Sequence, residues 1–198
     1  NNLKRIHHDM PIASAQVKTA LALAALQANG GLIRGGQSSR DHSSRMLDQM
    51  GCSLRFENGD LDISPSQLYA SSIYVPADFS AAAFFIVGAL IIPGSHIKLH
   101  DVSLNPTRTG LLLAIKEMGG QVEILNRKQA NGEMRGDLTV RYSALKGWHC
   151  PAELVPTLID ELPLLAVLGT HATGQTSVEG AGELRVKESD RIRAICNG

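Results

Sequence analysis

One pattern is written three times along this chain, and it limits the fold more than any other feature. An Ala/Leu-rich helical stretch stops at a glycine, a short β-like run follows, and a loop bearing an arginine opens a second helix. In the first copy the helix covers residues 17–28 and stops at Asn29-Gly30, where Gly supplies a left-handed cap. Residues 31–34 continue as strand. Ser38-Ser39-Arg40-Asp41-His42 then leads into a helix at 43–50, stopped at Gly51. The second copy has a helix at 80–92, a stop at Pro93-Gly94 and a strand at 96–100. Asn105-Pro106-Thr107-Arg108-Thr109 opens its second helix, which runs through Met118 to Gly119. The third has a helix at 162–171, a stop at Gly174, a strand at 176–179, and Glu188-Ser189-Asp190-Arg191 leading towards Asn197-Gly198. The first two copies each add two strand-like runs, 53–57 with 61–64 and 121–125 with 137–142, the last alternating with a period of two. A strand-like stretch, such as 72–75, precedes each first helix. The unit therefore reads β-α-β-α-β-β, and its regular alternation predicts a layered α/β domain rather than a bundle or a sandwich.

Composition says what fills such layers and which partners are excluded. Hydrophobic residues make up 43% of the 198 and charged residues 19%, enough apolar side chains for a core and too little charge for disorder. With Phe 4, Trp 1 and Tyr 3, that core has to be mostly aliphatic. Lys+Arg 19 against Asp+Glu 19 leaves no net charge. Nucleic-acid binding needs clustered cations to displace counterions, and an anionic membrane needs a basic stripe; neither is written here. No apolar run reaches the roughly 18 residues of a spanning helix. Cys52, Cys150 and Cys196 stand far apart with no C-x-x-C pair, which predicts neither disulfides nor a zinc site and fits a reducing, cytoplasmic compartment. Phosphate-loop and dinucleotide glycine motifs are missing, and neither His96 with His100 (on a strand) nor His7-His8 has the layout of a metal site. No cofactor and no metal are expected. The chain opens on Asn1, and its third copy stops where the others begin their last two strands, so the expectation is a piece of a longer chain.

Several loops carry residues suited to anionic ligands. Ser14 is a natural N-cap for the first helix, whose first turn (with Ala15 and Gln16) offers unpaired N–H groups and a positive dipole end; an ordinary capped helix is the alternative. Arg40 and Arg108 each open a helix, unfavourably for the dipole, so each pairs either with a ligand or with an internal carboxylate; for Arg40 those are Asp41 and Asp48. In the third copy Asp160 and Glu161 stand directly before an apolar helix with Pro163 in its first turn. Downstream, Leu184-Arg185-Val186-Lys187-Glu188-Ser189-Asp190-Arg191 alternates charges. If it is helical from Lys187, then Lys187 and Arg191 share a face beside Glu188. Cations flanked by carboxylates suit an anionic substrate with proton transfer; a solvated, salt-bridged helix is the alternative.

Several strings together resemble one family, the 5-enolpyruvylshikimate-3-phosphate synthases. They are Pro11-Ile12-Ala13-Ser14-Ala15-Gln16-Val17-Lys18, Ser39-Arg40-Asp41-His42 with Arg45-Met46-Leu47, Asn105-Pro106-Thr107-Arg108-Thr109-Gly110, Leu158-Ile159-Asp160-Glu161 and Arg185-Val186-Lys187-Glu188-Ser189-Asp190-Arg191. The resemblance implies a two-domain inside-out α/β assembly, enolpyruvyl transferase-like, here incomplete. Residues 1–74 would be the last unit of the first domain and 75–198 an incomplete second domain. It implies transfer of the enolpyruvyl group of phosphoenolpyruvate to the 5-hydroxyl of shikimate 3-phosphate, with release of phosphate. Ser14, Ala15 and Gln16 would bind shikimate 3-phosphate, Gln16 also lying near phosphoenolpyruvate, and Arg40 would lie at the shikimate 3-phosphate site. Asp160 would accept the proton of the 5-hydroxyl and Lys187 would contact that same substrate. Glu188 would move the proton at the enolpyruvyl methylene, and Arg191 would bind phosphoenolpyruvate. Gly35-Gly36 stands close to where the family has Glu-Pro, which predicts a looser loop before Arg40. The family's remaining phosphate-binding residues are outside this chain, so the remainder of its own chain would be needed and the piece alone would be inactive. The sister transferase acting on UDP-N-acetylglucosamine shares the chemistry but uses a loop Cys not seen here. A non-catalytic α/β repeat module used for binding is the reading from a different class.

Overall fold

Each of the three repeats folds as a strand segment, an apolar helix and a second strand segment parallel to the first. The computed structural model describes residues 3–36, 39–186 and 189–197. The chain forms two compact units, Asn1–Val75 with Gln129–Glu133, and Pro76–Lys128 with Met134–Gly198.

In the first unit, β1 (Ile6–Asp9) leads through Pro11 into α1 (Ala15–Gln27), and β2 (Gly31–Arg34) lies parallel to β1 with Ile6 opposite Gly31. After α2 (His42–Gln49), β3 (Leu54–Glu57) and β4 (Asp60–Ile63) form a hairpin whose second strand pairs antiparallel with β2, giving the order β1-β2-β4-β3. Asn58 and Gly59 turn that hairpin at φ +51° and +88°, the pair of positive values that suits the twist of the flanking strands. Gly30, after α1, has φ +79°, and a Cβ there would lie 2.5 Å from the Ile63 carbonyl oxygen, so a side chain is excluded twice over.

The second unit repeats the plan. Ala77 bridges parallel to Val102, standing where β1 stands in the first unit. α3 (Phe79–Ile91), β5 (His96–Ser103), α4 (Gly110–Glu117), β6 (Gln121–Ala130) and β7 (Glu133–Arg141) follow, with sheet order β5-β7-β6. The third repeat supplies β8 (His149–Cys150), a 3-10 turn at Ala152–Leu154, α5 (Val155–Leu158) and α6 (Leu162–His171). Then come β9 (Ser177–Val178), parallel to β8, a second 3-10 turn at Ala181–Arg185 and α7 (Arg191–Asn197).

The α/β class stands, with three local corrections. Residues 72–75 are not a strand: the Asn131 side chain accepts from the Tyr74 N–H and donates to the Ser72 carbonyl, both at 2.7 Å, taking the groups a ladder would use. β6 and β7 run well past the expected 121–125 and 137–142, because Asn131-Gly132 (φ +51° and +75°) makes a tight turn that carries the pairing to the tip. β9 is two residues shorter than the expected 176–179.

The cores are aliphatic as the composition requires. In the first unit Ala22 and Ala25 of α1 meet Ile33, Leu47, Leu61 and Ile63. In the second, Ile86 and Leu90 of α3 meet Leu111 and Ile115 of α4, Leu138 and Val140 of β7, and Leu165 and Leu168 of α6; Phe79 is the sole aromatic buried there among the described residues. A bulge between Leu99 and Val102 puts Asp101 at φ +55°. Its N–H donates to Asp137 at 3.0 Å, and Arg135 pairs with its carboxylate. Among the described residues no helix is long and apolar enough to cross a membrane.

Candidate functional site

The first unit gathers its candidate residues at the start of α1. Ser14 caps the helix, its Oγ accepting from the Val17 N–H at 3.4 Å. One turn on, Thr19 Oγ1 bonds the Ala15 carbonyl and Ser43 Oγ, each at 2.8 Å, which ties α1 to the start of α2. Ala15, Gln16, Thr19, Arg40, His42 and Ser43 line a cavity of about 440 Å³. Gln16 and Arg40, which stand in separate loops and which the resemblance assigned to one substrate, line one concavity. Asp41 pairs with Arg45 at 2.7 Å and raises that guanidinium's pKa, and Arg45 also donates to the Gly132 carbonyl at 2.7 Å.

Lys18 is the residue the sequence analysis missed. It is 2% exposed, and its Nζ donates to the carbonyls of Gly36 (3.2 Å) and Ser39 (3.1 Å). Ser39 Oγ donates to the same Gly36 carbonyl at 2.8 Å. Burial pushes the ammonium below its usual range, and the Asp41 charge partly restores it. Lys18 thus holds Gly36 and Ser39, while residues 37 and 38 of the loop expected to be looser lie outside the described residues. One signal was available: Lys18, Ala22 and Ala25 fall at i, i+4 and i+7, on the buried stripe of α1.

In the second unit Asp160 sits in the turn between α5 and α6, and its Oδ1 accepts from Arg191 Nη1 at 3.0 Å. Arg191 is the first residue of α7, and Asp190 caps that helix by accepting from the Arg193 N–H at 3.0 Å. Ser189 and Asp190 are not helical, so the helical face expected to carry both Lys187 and Arg191 does not form. Lys187 and Glu188 themselves lie outside the described residues.

Glu161 turns the other way. It is 3% exposed, and its Oε1 accepts from Ser80 Oγ at 2.5 Å. Ser80 Oγ in turn accepts from Arg108 Nη2 at 2.6 Å, and Asp78 lies 3.8 Å from the same guanidinium. The Asn-Pro-Thr-Arg-Thr-Gly string is what aims Arg108. Buried Asn105 accepts from the Thr107 N–H (2.8 Å) and hydroxyl (2.6 Å), and the Arg108 N–H returns to the Asn105 carbonyl at 2.9 Å. Gly110 closes the string where a Cβ would sit 2.1 Å from Thr157 Oγ1 of α5. Arg108 thus has internal partners, one of the two readings left open by its sequence.

Chemically, the first unit offers amide, hydroxyl and guanidinium donors at a helix N-terminus, a seat for an anion. The second offers a half-exposed carboxylate held by a guanidinium, a pair able to take up a proton beside an anionic group. Cys52 and Cys150 are buried, and burial pushes both thiols up, away from nucleophilic use. Among the described residues no group of three or more His, Cys, Asp or Glu is placed to hold a metal ion.

A repeat-built α/β protein with a cationic helix-start site and a carboxylate–guanidinium site is the class these features define. The family model described as EPSP synthase (3-phosphoshikimate 1-carboxyvinyltransferase) matches residues 1–198, and the chain belongs to that family. It is 52% identical over 185 residues to the 3-phosphoshikimate 1-carboxyvinyltransferase of Carboxydothermus hydrogenoformans, covering 92% of this chain and 43% of that protein. Against the protein of the same name from Alkaliphilus metalliredigens, identity is 44% over 195 residues, covering 98% and 46%. The solved EPSP synthase of Acinetobacter baumannii superposes with a TM-score of 0.91 at 42% identity, covering all of this chain and 45% of that one. The chain spans less than half the length of the curated relatives it matches.

Proposed function

We propose that the full-length protein carrying this chain transfers the enolpyruvyl group of phosphoenolpyruvate to the 5-hydroxyl of shikimate 3-phosphate and releases phosphate. The observation that carries the reading is the Asp160–Arg191 pair at 3.0 Å, in a chain whose family match runs end to end. In this reading Ser14, Ala15, Gln16 and Arg40 take shikimate 3-phosphate, which fits the cavity that Ala15, Gln16 and Arg40 share. Asp160 accepts the proton leaving the 5-hydroxyl as its oxygen attacks the enolpyruvyl carbon. Arg191 holds phosphoenolpyruvate, so the cation that fixes the Asp160 carboxylate also fixes the electrophile's charge. Lys187 contacts shikimate 3-phosphate, and Glu188 carries the proton to and from the methylene carbon. The tetrahedral adduct is phosphorylated and anionic, so fixed cations stabilise it without reorganising.

The same reading makes residues 1–74 the last unit of a first α/β domain and 75–198 an incomplete second one. The chain alone is then inactive, and the remainder of its own chain completes the site. A cytoplasmic location fits the unpaired thiols Cys52, Cys150 and Cys196, which reducing compartments keep free. Incubating the full-length protein with phosphoenolpyruvate and either shikimate 3-phosphate or UDP-N-acetylglucosamine tests the assignment. Phosphate release with the first acceptor alone is the expected result; release with the second alone, or with neither, overturns it.

A further inference from the structure

We propose that Glu161 is a positioning residue that sets the orientation of Asp160 through a Glu161–Ser80–Arg108 chain of hydrogen bonds. The proposal rests on the reading of Asp160 as the proton acceptor. The two carboxylates are neighbours in one turn with opposite surroundings. Glu161 is 3% exposed, whereas the Asp160 side chain is 32% exposed and meets Arg191 at 3.0 Å. A carboxylate is buried at a cost unless donors meet it, and here Ser80 of α3 donates to it, with Arg108 donating in turn to Ser80. Ser80 stands in the first turn of α3 with its N–H held by Asp78 at 3.2 Å, and its hydroxyl donates to Glu161 at 2.5 Å. Arg108, aimed by the Asn105 turn, donates to that hydroxyl oxygen at 2.6 Å and so orients the proton of Ser80 towards Glu161.

The backbone of Glu161 makes this anchor matter for its neighbour. Its N–H returns to the Leu158 carbonyl of α5 at 2.9 Å, and its carbonyl accepts from Leu165 of α6 at 2.9 Å. Glu161 is thus the joint between the two helices, and Asp160 is the residue immediately before that joint. Pinning the Glu161 side chain inward fixes the turn, and the fixed turn presents Asp160 outward to Arg191. Burial of the anchor and exposure of the acceptor are two consequences of one turn geometry.

The test uses the full-length protein, with D160N as the control for the underlying reading. If wild type lacks transfer or D160N keeps it, that reading fails, and the structural readout below still judges Glu161. If both behave as expected, E161A lowers kcat roughly tenfold or more with KM for both substrates nearly unchanged, as a small misplacement of a reacting group does. E161Q, whose Oε1 still accepts from Ser80, restores most of kcat. The E161A/S80A double variant is little worse than E161A, because both act through one chain of bonds. E161A leaves buried donors unmet and can fail to fold, so crystal structures of E161Q and S80A supply a readout independent of activity. Asp160–Arg191 is expected to stay paired in E161Q and to open in S80A. Three results overturn the proposal: unchanged kcat in folded E161A, loss in E161Q as deep as in E161A, or an intact Asp160–Arg191 pair in S80A.

Discussion

Among the described residues, each unit buries one charged side chain next to its candidate residues, and the two are of opposite sign. Lys18, 2% exposed, spends its ammonium on backbone carbonyls, Gly36 and Ser39. Glu161, 3% exposed, spends its carboxylate on the side chain of Ser80, with Arg108 behind it. A cation is the natural clamp for a loop, because carbonyl oxygens are what an irregular backbone leaves unpaired. An anion is the natural clamp for a junction of helices, because helix starts and arginines supply donors. The difference is in what each holds still. Lys18 ties Gly36 to Ser39, the residue before Arg40, which we propose binds shikimate 3-phosphate. Glu161 ties to Ser80 the turn that carries Asp160, which we propose accepts the proton. Lys18 should therefore act on binding and Glu161 on the chemical step.

The largest expected effect bears on the second unit. In the full-length protein D160N should lower kcat by about 10²–10⁴-fold, the range that a positioned acid–base group contributes, measured as initial phosphate release. Lys18→Met sharpens the comparison from the other side. It strips the donor from two buried carbonyls, and the expected loss of stability is about 1–3 kcal/mol by denaturant titration. KM for shikimate 3-phosphate should rise while kcat stays close to wild type. A fall in kcat with KM unchanged would erase the distinction between the two anchors. The pH dependence of the same pair carries a sign. The folded Lys18 pKa lies below 10.5, so the unfolded chain binds more protons near that pH, and wild type should gain stability relative to K18M as pH rises towards 10.5.

Smaller effects test the supports. Gly110→Ala forces a Cβ against Thr157 Oγ1 and Leu158, and should cost about 1–2 kcal/mol by displacing α5 from the start of α4. Asp137→Asn should cost least. The Asn126 side chain, the Asp101 N–H and Lys98 hold the Asp137 carboxyl well below its usual 3.8, so its contribution is complete above that value and lost as pH falls beneath it. The gap between wild type and D137N in thermal melts should narrow below pH 3.8.

Most of the architecture was legible because glycine punctuates it: Gly30, Gly94 and Gly174 end the three long helices, all with positive φ. Helix 162–171 was read to the residue, since Pro163 and Gly174 mark both ends. The strands were less legible. Residues 72–75 have strand-like composition, yet a distant asparagine takes their backbone groups, and no local pattern shows that. The length of β6 and β7 was written in Asn131-Gly132, a turn signal that went unused. At the sites, the fold gathers Ala15, Gln16 and Arg40 and pairs Asp160 with Arg191, groupings that the family resemblance implied and that the residues taken one by one left open. The buried anchors were less legible, Lys18 showing only through its spacing from Ala22 and Ala25. A lysine in an apolar helix and a glutamate before one look solvent-facing until tertiary packing decides which stripe is inside.

The central claim is that Asp160 takes the proton of the acceptor hydroxyl. A crystal structure of the full-length protein with shikimate 3-phosphate measures this most directly. The account predicts an Asp160 carboxylate oxygen within about 2.6–3.2 Å of the 5-hydroxyl, the reach of a general base. A 5-hydroxyl bonded to a different carboxylate, with Asp160 still turned to Arg191 and out of reach, would contradict it.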